Sequence, residues 1–238
     1  IDLNGHDIIN TTSLPDTDPR YGNTTVFEVK GDATLNIKGD GDVKAIGTNL
    51  NEDGYRMAVY AYGDAQVNIY GGNFSNDQDY NNHQAQLDLI YADQNAVINI
   101  YGGTFESKSA NDRGYWVLNL KDGSNAAINV YGGTFVNFDP SNSMTENPVK
   151  NFVVATSTTV KVSEDPQPNG SYEVVPEGGV VSVPIEVNDA ESLIEALSNP
   201  VVANIEVASS IDLSEKSAEE LTFEEYKTID IKEGVTIR

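Results

Sequence analysis

Val67-Asn68-Ile69-Tyr70-Gly71-Gly72-Asn73-Phe74 recurs as Ile98-Asn99-Ile100-Tyr101-Gly102-Gly103-Thr104-Phe105 and again as Ile128-Asn129-Val130-Tyr131-Gly132-Gly133-Thr134-Phe135. The tyrosines of the three copies lie 31 and 30 residues apart. A fixed period in this range belongs to solenoids, in which each repeat is one coil that buries its apolar face only against its neighbours. A propeller blade needs four strands and about 40 or more residues, and a leucine-rich repeat carries its own Leu/Asn spacing with a helical segment. Parallel strands stacked coil on coil are what remains.

The repeat extends beyond these copies. The small residue opening each strand recurs as Ala33, Ala65, Ala96 and Ala126, at spacings of 32, 31 and 30. The copy Ala33-Thr34-Leu35-Asn36-Ile37-Lys38-Gly39 keeps the alternation and replaces the tyrosine by Lys38. Ile1-Asp2-Leu3-Asn4-Gly5 fits one further period back, with Leu3-Asn4 aligned to Leu35-Asn36. A second strand recurs within each period: Val26–Val29, Met57–Ala61, Leu87–Ile90 and Trp116–Leu120, with Phe152–Ala155 as the last member. The Asn-, Asp- and Gly-rich stretches Ser75–Gln84 and Ser107–Gly114 have loop composition. Each coil therefore reads as strand, Gly-Gly corner, short Phe-containing strand, loop, second strand and corner back. About five coils at about 4.8 Å per rung make a stack of roughly 24 Å, right-handed by the crossover preference of parallel strands.

Alternation assigns the side chains. Val67, Ile69, Ile98, Ile100, Ile128 and Val130 face inward, and Phe74, Phe105 and Phe135 stack in line inside the coil. Asn68, Asn99 and Asn129 face outward beside Tyr70, Tyr101 and Tyr131. These six residues are the candidate ligand-binding face, since aromatic side chains suit sugar rings and protein partners alike. Tyr55, Tyr60, Tyr62, Tyr80, Tyr91, Tyr115 and Trp116 are further aromatics able to extend it. Stacked identical residues also stabilise a solenoid through neighbour contacts alone.

Composition narrows the partners. The chain has 238 residues, 37 acidic and 14 basic side chains, and a formal charge of −23. A nucleic-acid groove or an anionic membrane surface needs clustered Lys and Arg, so neither is the expected partner. There is no cysteine, which removes disulfides, thiolate chemistry and Cys-based zinc sites. No run of about 18 apolar residues is present, so membrane insertion is not expected. The start at Ile1, without Met or a leader pattern, reads as a segment of a longer or processed polypeptide.

The Ile1-Asp2-Leu3-Asn4-Gly5-His6 start, the Gly-Gly-Thr-Phe corners at Gly102–Phe105 and Gly132–Phe135, the exit Phe138-Asp139-Pro140-Ser141 and the later Gly170–Pro176 segment resemble right-handed parallel β-helix, pectin-lyase-like repeat proteins. The resemblance covers roughly residues 1–180. It implies an all-β parallel β-helix and an extracellular setting, on a bacterial cell surface or a phage virion fibre. That family spans lyases, hydrolases, adhesins and virion fibres, so the motifs specify the fold far better than the activity.

After Pro184 the pattern changes. Asn188 or Asp189 caps a short helix, Asn188 with Glu191 forming a capping box, and Leu193, Ile194 and Leu197 give its apolar stripe. Strands follow at Val201–Val207 and Lys227–Ile237, with a helical turn near Ala218–Tyr226 between them. The expected organisation is coils over 1–138, an exit coil and terminal strands over 139–184, and a small α/β segment over 185–238. The strand Thr228–Gly234 echoes Ile1–Gly5. The last segment is therefore a cap, the start of a second solenoid unit in a tandem array, or a contact with a neighbouring subunit.

For chemistry the chain offers two histidines, His6 and His83, and no readable Ser/His/Asp arrangement around either. Pectin-lyase-like enzymes carry clustered carboxylates and a basic residue on the outer face of consecutive coils; here those positions read Glu28, Tyr60, Asp88 and Asn119, with Arg56 and Arg113 nearby. Glu28 and Asp88 two coils apart would be separated by about 9–10 Å, the far edge of inverting-glycosidase geometry. Gly39-Asp40-Gly41-Asp42 and Asp77-Gln78-Asp79 resemble fragments of calcium loops without completing an EF-hand. No cofactor or metal is expected; a weak calcium site in these loops is the alternative to ordinary Asp/Gly turns. The expectation is a non-enzymatic extracellular structural or adhesive module binding other protein subunits or a cell-surface glycan. A polysaccharide lyase or glycoside hydrolase and a self-assembling filament subunit are the alternatives.

Overall fold

Three parallel sheets form the faces of a coil. The computed structural model describes residues 1–14, 23–46, 55–77, 88–108, 116–143, 151–167, 169–176, 185–198, 204–217 and 228–238. The first face is β2 (Thr24–Gly31), β5 (Arg56–Gly63), β8 (Ile90–Ala92) and β11 (Leu118–Leu120), paired in that order. The second is β3 (Thr34–Ile37), β6 (Gln66–Ile69), β9 (Val97–Ile100) and β12 (Ala127–Val130). The third is β1 (Ile8–Asn10), β4 (Asp42–Ile46), β7 (Asn73–Asp77), β10 (Thr104–Lys108) and β13 (Gly133–Val136). The parallel β-solenoid read from the repeat is thus present. It is shorter than the expected five coils: about three turns separate the first and last rungs of the four-rung faces.

The register follows the sequence period. Leu35, Val67, Ile98 and Ile128 lie in one row and Ile37, Ile69, Ile100 and Val130 in the next. Val43, Phe74, Phe105 and Phe135 form a third row, from the third face. Successive phenylalanine rings stack at 5.0 Å with interplanar angles of 10° and 14°. All three are buried in one continuous core with the aliphatic rows. Full burial of such side chains is worth about 1.5–3 kcal/mol each, which is what holds the coils together.

The Gly-Gly corner joins the second face to the third. A Cβ on Gly102 would sit 2.8 Å from the Tyr70 carbonyl oxygen, so the chain passes too close to the preceding rung for a side chain. Gly103 has φ +108°, a conformation open to glycine and strained for other residues.

Two sequence expectations change register. Asp2 pairs with Lys38, so Leu3 lies beside Gly39 and not Leu35. The shift lets the Leu3 side chain cover the space above Gly41 and Gly72. Phe152–Ala155 does not extend the first face: Val153 bridges Val130, and the Val130 N–H donates to the Phe152 carbonyl, on the second face. After Phe138, which tilts against Phe135 at 6.2 Å and 45°, the third face ends differently. There β15 (Ser171–Pro176) pairs antiparallel with β13, and β14 (Ser157–Ser163) follows it at the sheet edge. This reversal stops parallel growth at that end of the sheet.

The chain separates into two units, Ile1–Val175 and Pro176–Arg238. In the second, β16 (Ile185–Val187), β17 (Asn204–Val207) and β18 (Thr228–Ile231) form a parallel sheet in chain order, with α1 (Ala190–Ser198) between the first two. The helix cap is Asp189 with Ser192, not Asn188 with Glu191. Ser192 N–H donates to Asp189 Oδ1 at 2.8 Å, and Asp189 N–H donates back to Ser192 Oγ at 3.3 Å. The bonds that its carboxylate accepts hold the Asp189 carboxyl below its ordinary pKa. Val187, Leu193, Ile205, Val207 and Ile211 make a separate small core. The turn expected near Ala218–Tyr226 lies outside the described residues.

Candidate functional site

The corner that follows the second face carries Tyr70, Tyr101 and Tyr131 in one row. Their rings stack at 4.9 Å and 4.7 Å, with interplanar angles of 7° and 16°. The rows beneath are set by β6, β9 and β12, so a tyrosine one residue after each strand repeats at the rung spacing. All three are half-buried. Stacking closes both faces of Tyr101 against its neighbours, and the row as a whole stays half-buried. A sugar ring therefore has no bare inner face to lie on; the row presents the half-buried edge of a narrow aromatic strip. By register Lys38 occupies the next position beyond Tyr70 and Val154 the next beyond Tyr131.

The asparagines form a directional chain of hydrogen bonds. Asn129 Nδ2 donates to Asn99 Oδ1 at 3.0 Å, Asn99 Nδ2 to Asn68 Oδ1 at 2.9 Å, and Asn68 Nδ2 to Asn36 Oδ1 at 2.8 Å. Each inner amide thus spends donor and acceptor capacity on its neighbours. Asn99 is buried although its strand position faces outward, because the amides above and below cover it. A second row, Asn125 to Asn95 to Asp64 at 3.2 and 2.9 Å, runs along the turn before the second face. The repeat displays the first row in the sequence; Asp64 breaks the residue identity of the second and hides it.

A second aromatic cluster stands on the first face. Tyr60 stacks on Tyr62 at 4.9 Å and on Tyr91 at 5.5 Å, and Tyr91 on Tyr55 at 6.0 Å. Tyr60 and Tyr91 meet because they are in register, while Tyr62 follows Tyr60 on the same side of β5. Tyr62 donates its hydroxyl to Glu28 Oε1 at 2.9 Å. Trp116 is half-buried, and Tyr80 and Tyr115 lie outside the described residues.

The carboxylate row expected for an enzyme is altered by this register. Glu28 pairs with Tyr60, Tyr60 with Tyr91 and Tyr91 with Asn119, so the outward row contains one carboxylate. Asp88 precedes β8 and is only 1% exposed, accepting from Asn119 Nδ2 at 2.9 Å. Burial first, and then the Asp88 charge, push the phenols of Tyr91 and Tyr55 above the usual tyrosine range. Arg56 is likewise buried, with Nη1 donating to the Tyr55 carbonyl at 3.3 Å. Arg113 and His83 lie outside the described residues, and His6 is exposed near the first corner.

In the Gly39–Asp42 segment the Asp42 carboxylate contacts Lys44 Nζ at 2.5 Å and accepts from Asn73 Nδ2 at 3.1 Å. Among the described residues no group of three or more acidic or histidine side chains converges as a metal cage. Asp77-Gln78-Asp79 falls largely outside them. No helix of the described residues is long and apolar enough to cross a membrane.

The stacked parallel faces make this chain a β-solenoid protein. It matches no protein-family model, no curated protein and no solved structure.

Proposed function

We propose that the chain is a non-enzymatic structural or adhesive module of an extracellular assembly, a cell-surface protein or a virion fibre of the pectin-lyase-like kind. Its partners are other protein subunits or a cell-surface glycan, met along the outer strip of Tyr70, Tyr101 and Tyr131. The observation that carries this reading is the regular tyrosine row at a half-exposed corner. Nothing in the packing of the coil requires tyrosine there, since Lys38 fills the same position one rung earlier. The Asn36, Asn68, Asn99 and Asn129 row, whose amides bond to one another, supports the strip as its rigid bed.

The test is a panel of purified surface glycans and surface-protein extracts, assayed both for binding and for turnover. Binding without release of reducing sugar or of unsaturated product is expected. Release that disappears in Glu28→Gln or Asp88→Asn proteins would make the chain a polysaccharide lyase or hydrolase.

A further inference from the structure

The tyrosine row sets three oxidisable phenols one rung apart. Tyr70, Tyr101 and Tyr131 lie with ring centroids 4.9 and 4.7 Å apart and planes inclined by only 7° and 16°. Near-parallel rings that follow parallel strands in register bring the ortho carbons of one phenol beside those of the next. Those carbons are the atoms that join when two tyrosyl radicals couple. All three residues are half-buried at a corner of the coil, within reach of a small oxidant. The phenylalanine row has the same spacing, but it is sealed in the core and carries no phenol oxygen.

The row is bounded. By register Lys38 stands in place of a tyrosine before Tyr70, and Val154 after Tyr131. Tyr101 therefore has two phenol neighbours and each end residue has one. Tyr70 and Tyr131 are two rungs apart, about 9–10 Å. Competing sites are less well placed. The chain has no cysteine, so no thiol intercepts the oxidant. On the first face Tyr60 and Tyr91 are 5.5 Å apart, and Tyr91 and Tyr55 6.0 Å. Burial, and then the Asp88 charge, hold the protons of the Tyr91 and Tyr55 phenols, and a tyrosine gives up its proton as it loses an electron. Tyr60 and Tyr62 stack at 4.9 Å with a 28° inclination, but they belong to one strand, so a bond between them would tie no two rungs.

We propose that Tyr70, Tyr101 and Tyr131 are an oxidative cross-linking site, where hydrogen peroxide spent by a haem peroxidase joins neighbouring phenols into dityrosine. Each of two phenols loses one electron and its hydroxyl proton, and together these reduce one hydrogen peroxide to two waters. A bond forms between one ortho carbon of each ring. The hydrogens on those carbons then move to the two oxygens and restore both phenols. The product is lighter by two hydrogens and ties residues 31 or 30 positions apart, one coil to the next. Holding the rings side by side makes coupling unimolecular, so it outruns coupling between molecules. The inference rests on the spacing and chemistry of the row and is independent of what the strip binds.

The test treats the folded full chain, at low concentration, with hydrogen peroxide and a haem peroxidase. Dityrosine fluorescence follows the reaction, and linked peptides are mapped after cleavage at acidic residues. Links from Tyr101 to Tyr70 and to Tyr131 within the monomer are expected, with a raised denaturation midpoint because a cross-link constrains the unfolded chain. Tyr101→Phe keeps the ring and removes the phenol oxygen; it should lose both links and the gain in midpoint. Tyr70→Phe should keep the link between Tyr101 and Tyr131. A row left unlinked at a dose that couples tyrosine amide would overturn the proposal. So would links found only between molecules or only on the first face, or an oxidised Tyr101→Phe protein that joins Tyr70 to Tyr131 or keeps the midpoint gain.

Discussion

The inner phenylalanine row and the outer tyrosine row share a spacing and differ in everything that spacing does not control. Phe74, Phe105 and Phe135 stack at 5.0 Å, and Tyr70, Tyr101 and Tyr131 at 4.9 and 4.7 Å. The phenylalanines are sealed in the core, while the tyrosines keep an edge in water. Stacking is therefore what a 30-residue coil does to any aromatic residue it repeats. Burial decides which row carries stability, and partial exposure decides which row a partner could reach.

Substitutions should separate the rows, beginning with the largest effect. Phe105→Ala opens a cavity between two rings and is expected to cost about 3–5 kcal/mol in chemical denaturation. Gly103→Ala forces a side chain into φ +108°, with its Cβ 2.8 Å from the Gly72 carbonyl oxygen, and should cost about 1–3 kcal/mol. Asn99→Ala removes a donor and an acceptor from the middle of the amide row. A loss near 1–2 kcal/mol is expected, read from the same denaturation curves. Tyr101→Ala keeps the core whole and should cost only about 1 kcal/mol. A Tyr101→Ala loss equal to that of Phe105→Ala would erase the distinction.

Titration probes the tyrosine cluster of the first face. Burial and the Asp88 charge raise the Tyr91 pKa on the first face. A raised folded-state value means that its contribution to stability is complete below the unfolded tyrosine pKa, about 10, and is lost as pH climbs beyond it. Ultraviolet absorbance should show Tyr91 ionising together with alkaline unfolding. Asp88→Asn is the matching control: with the charge removed and the packing kept, Tyr91 should ionise at lower pH.

Much of the fold is legible because a solenoid writes its contacts into its period. Val67, Ile98 and Ile128 can be placed side by side from spacing alone, and the register agrees. Legibility fails where contacts depend on something other than the period. Leu3 slides along its neighbour to fill the space over two glycines, and Phe152 and Val153 pair on a different face from the one their pattern suggests. Asp88 sits two residues before its strand, so counting alternate positions through the preceding loop assigns it to the wrong row. The tyrosine strip is visible as a repeat, but the closure of its ring faces follows from stacking distance, which no spacing states.

The central claim is that the tyrosine strip recognises a partner while the phenylalanine row maintains the coil. Its most direct measurement compares the wild-type protein with a Tyr101→Ala/Tyr131→Ala variant, for binding to the surface panel and for denaturation midpoint in the same preparations. Binding is expected to fall by about tenfold or more while the variant still unfolds in one cooperative transition close to the wild-type midpoint. Undiminished binding by a folded variant would contradict it.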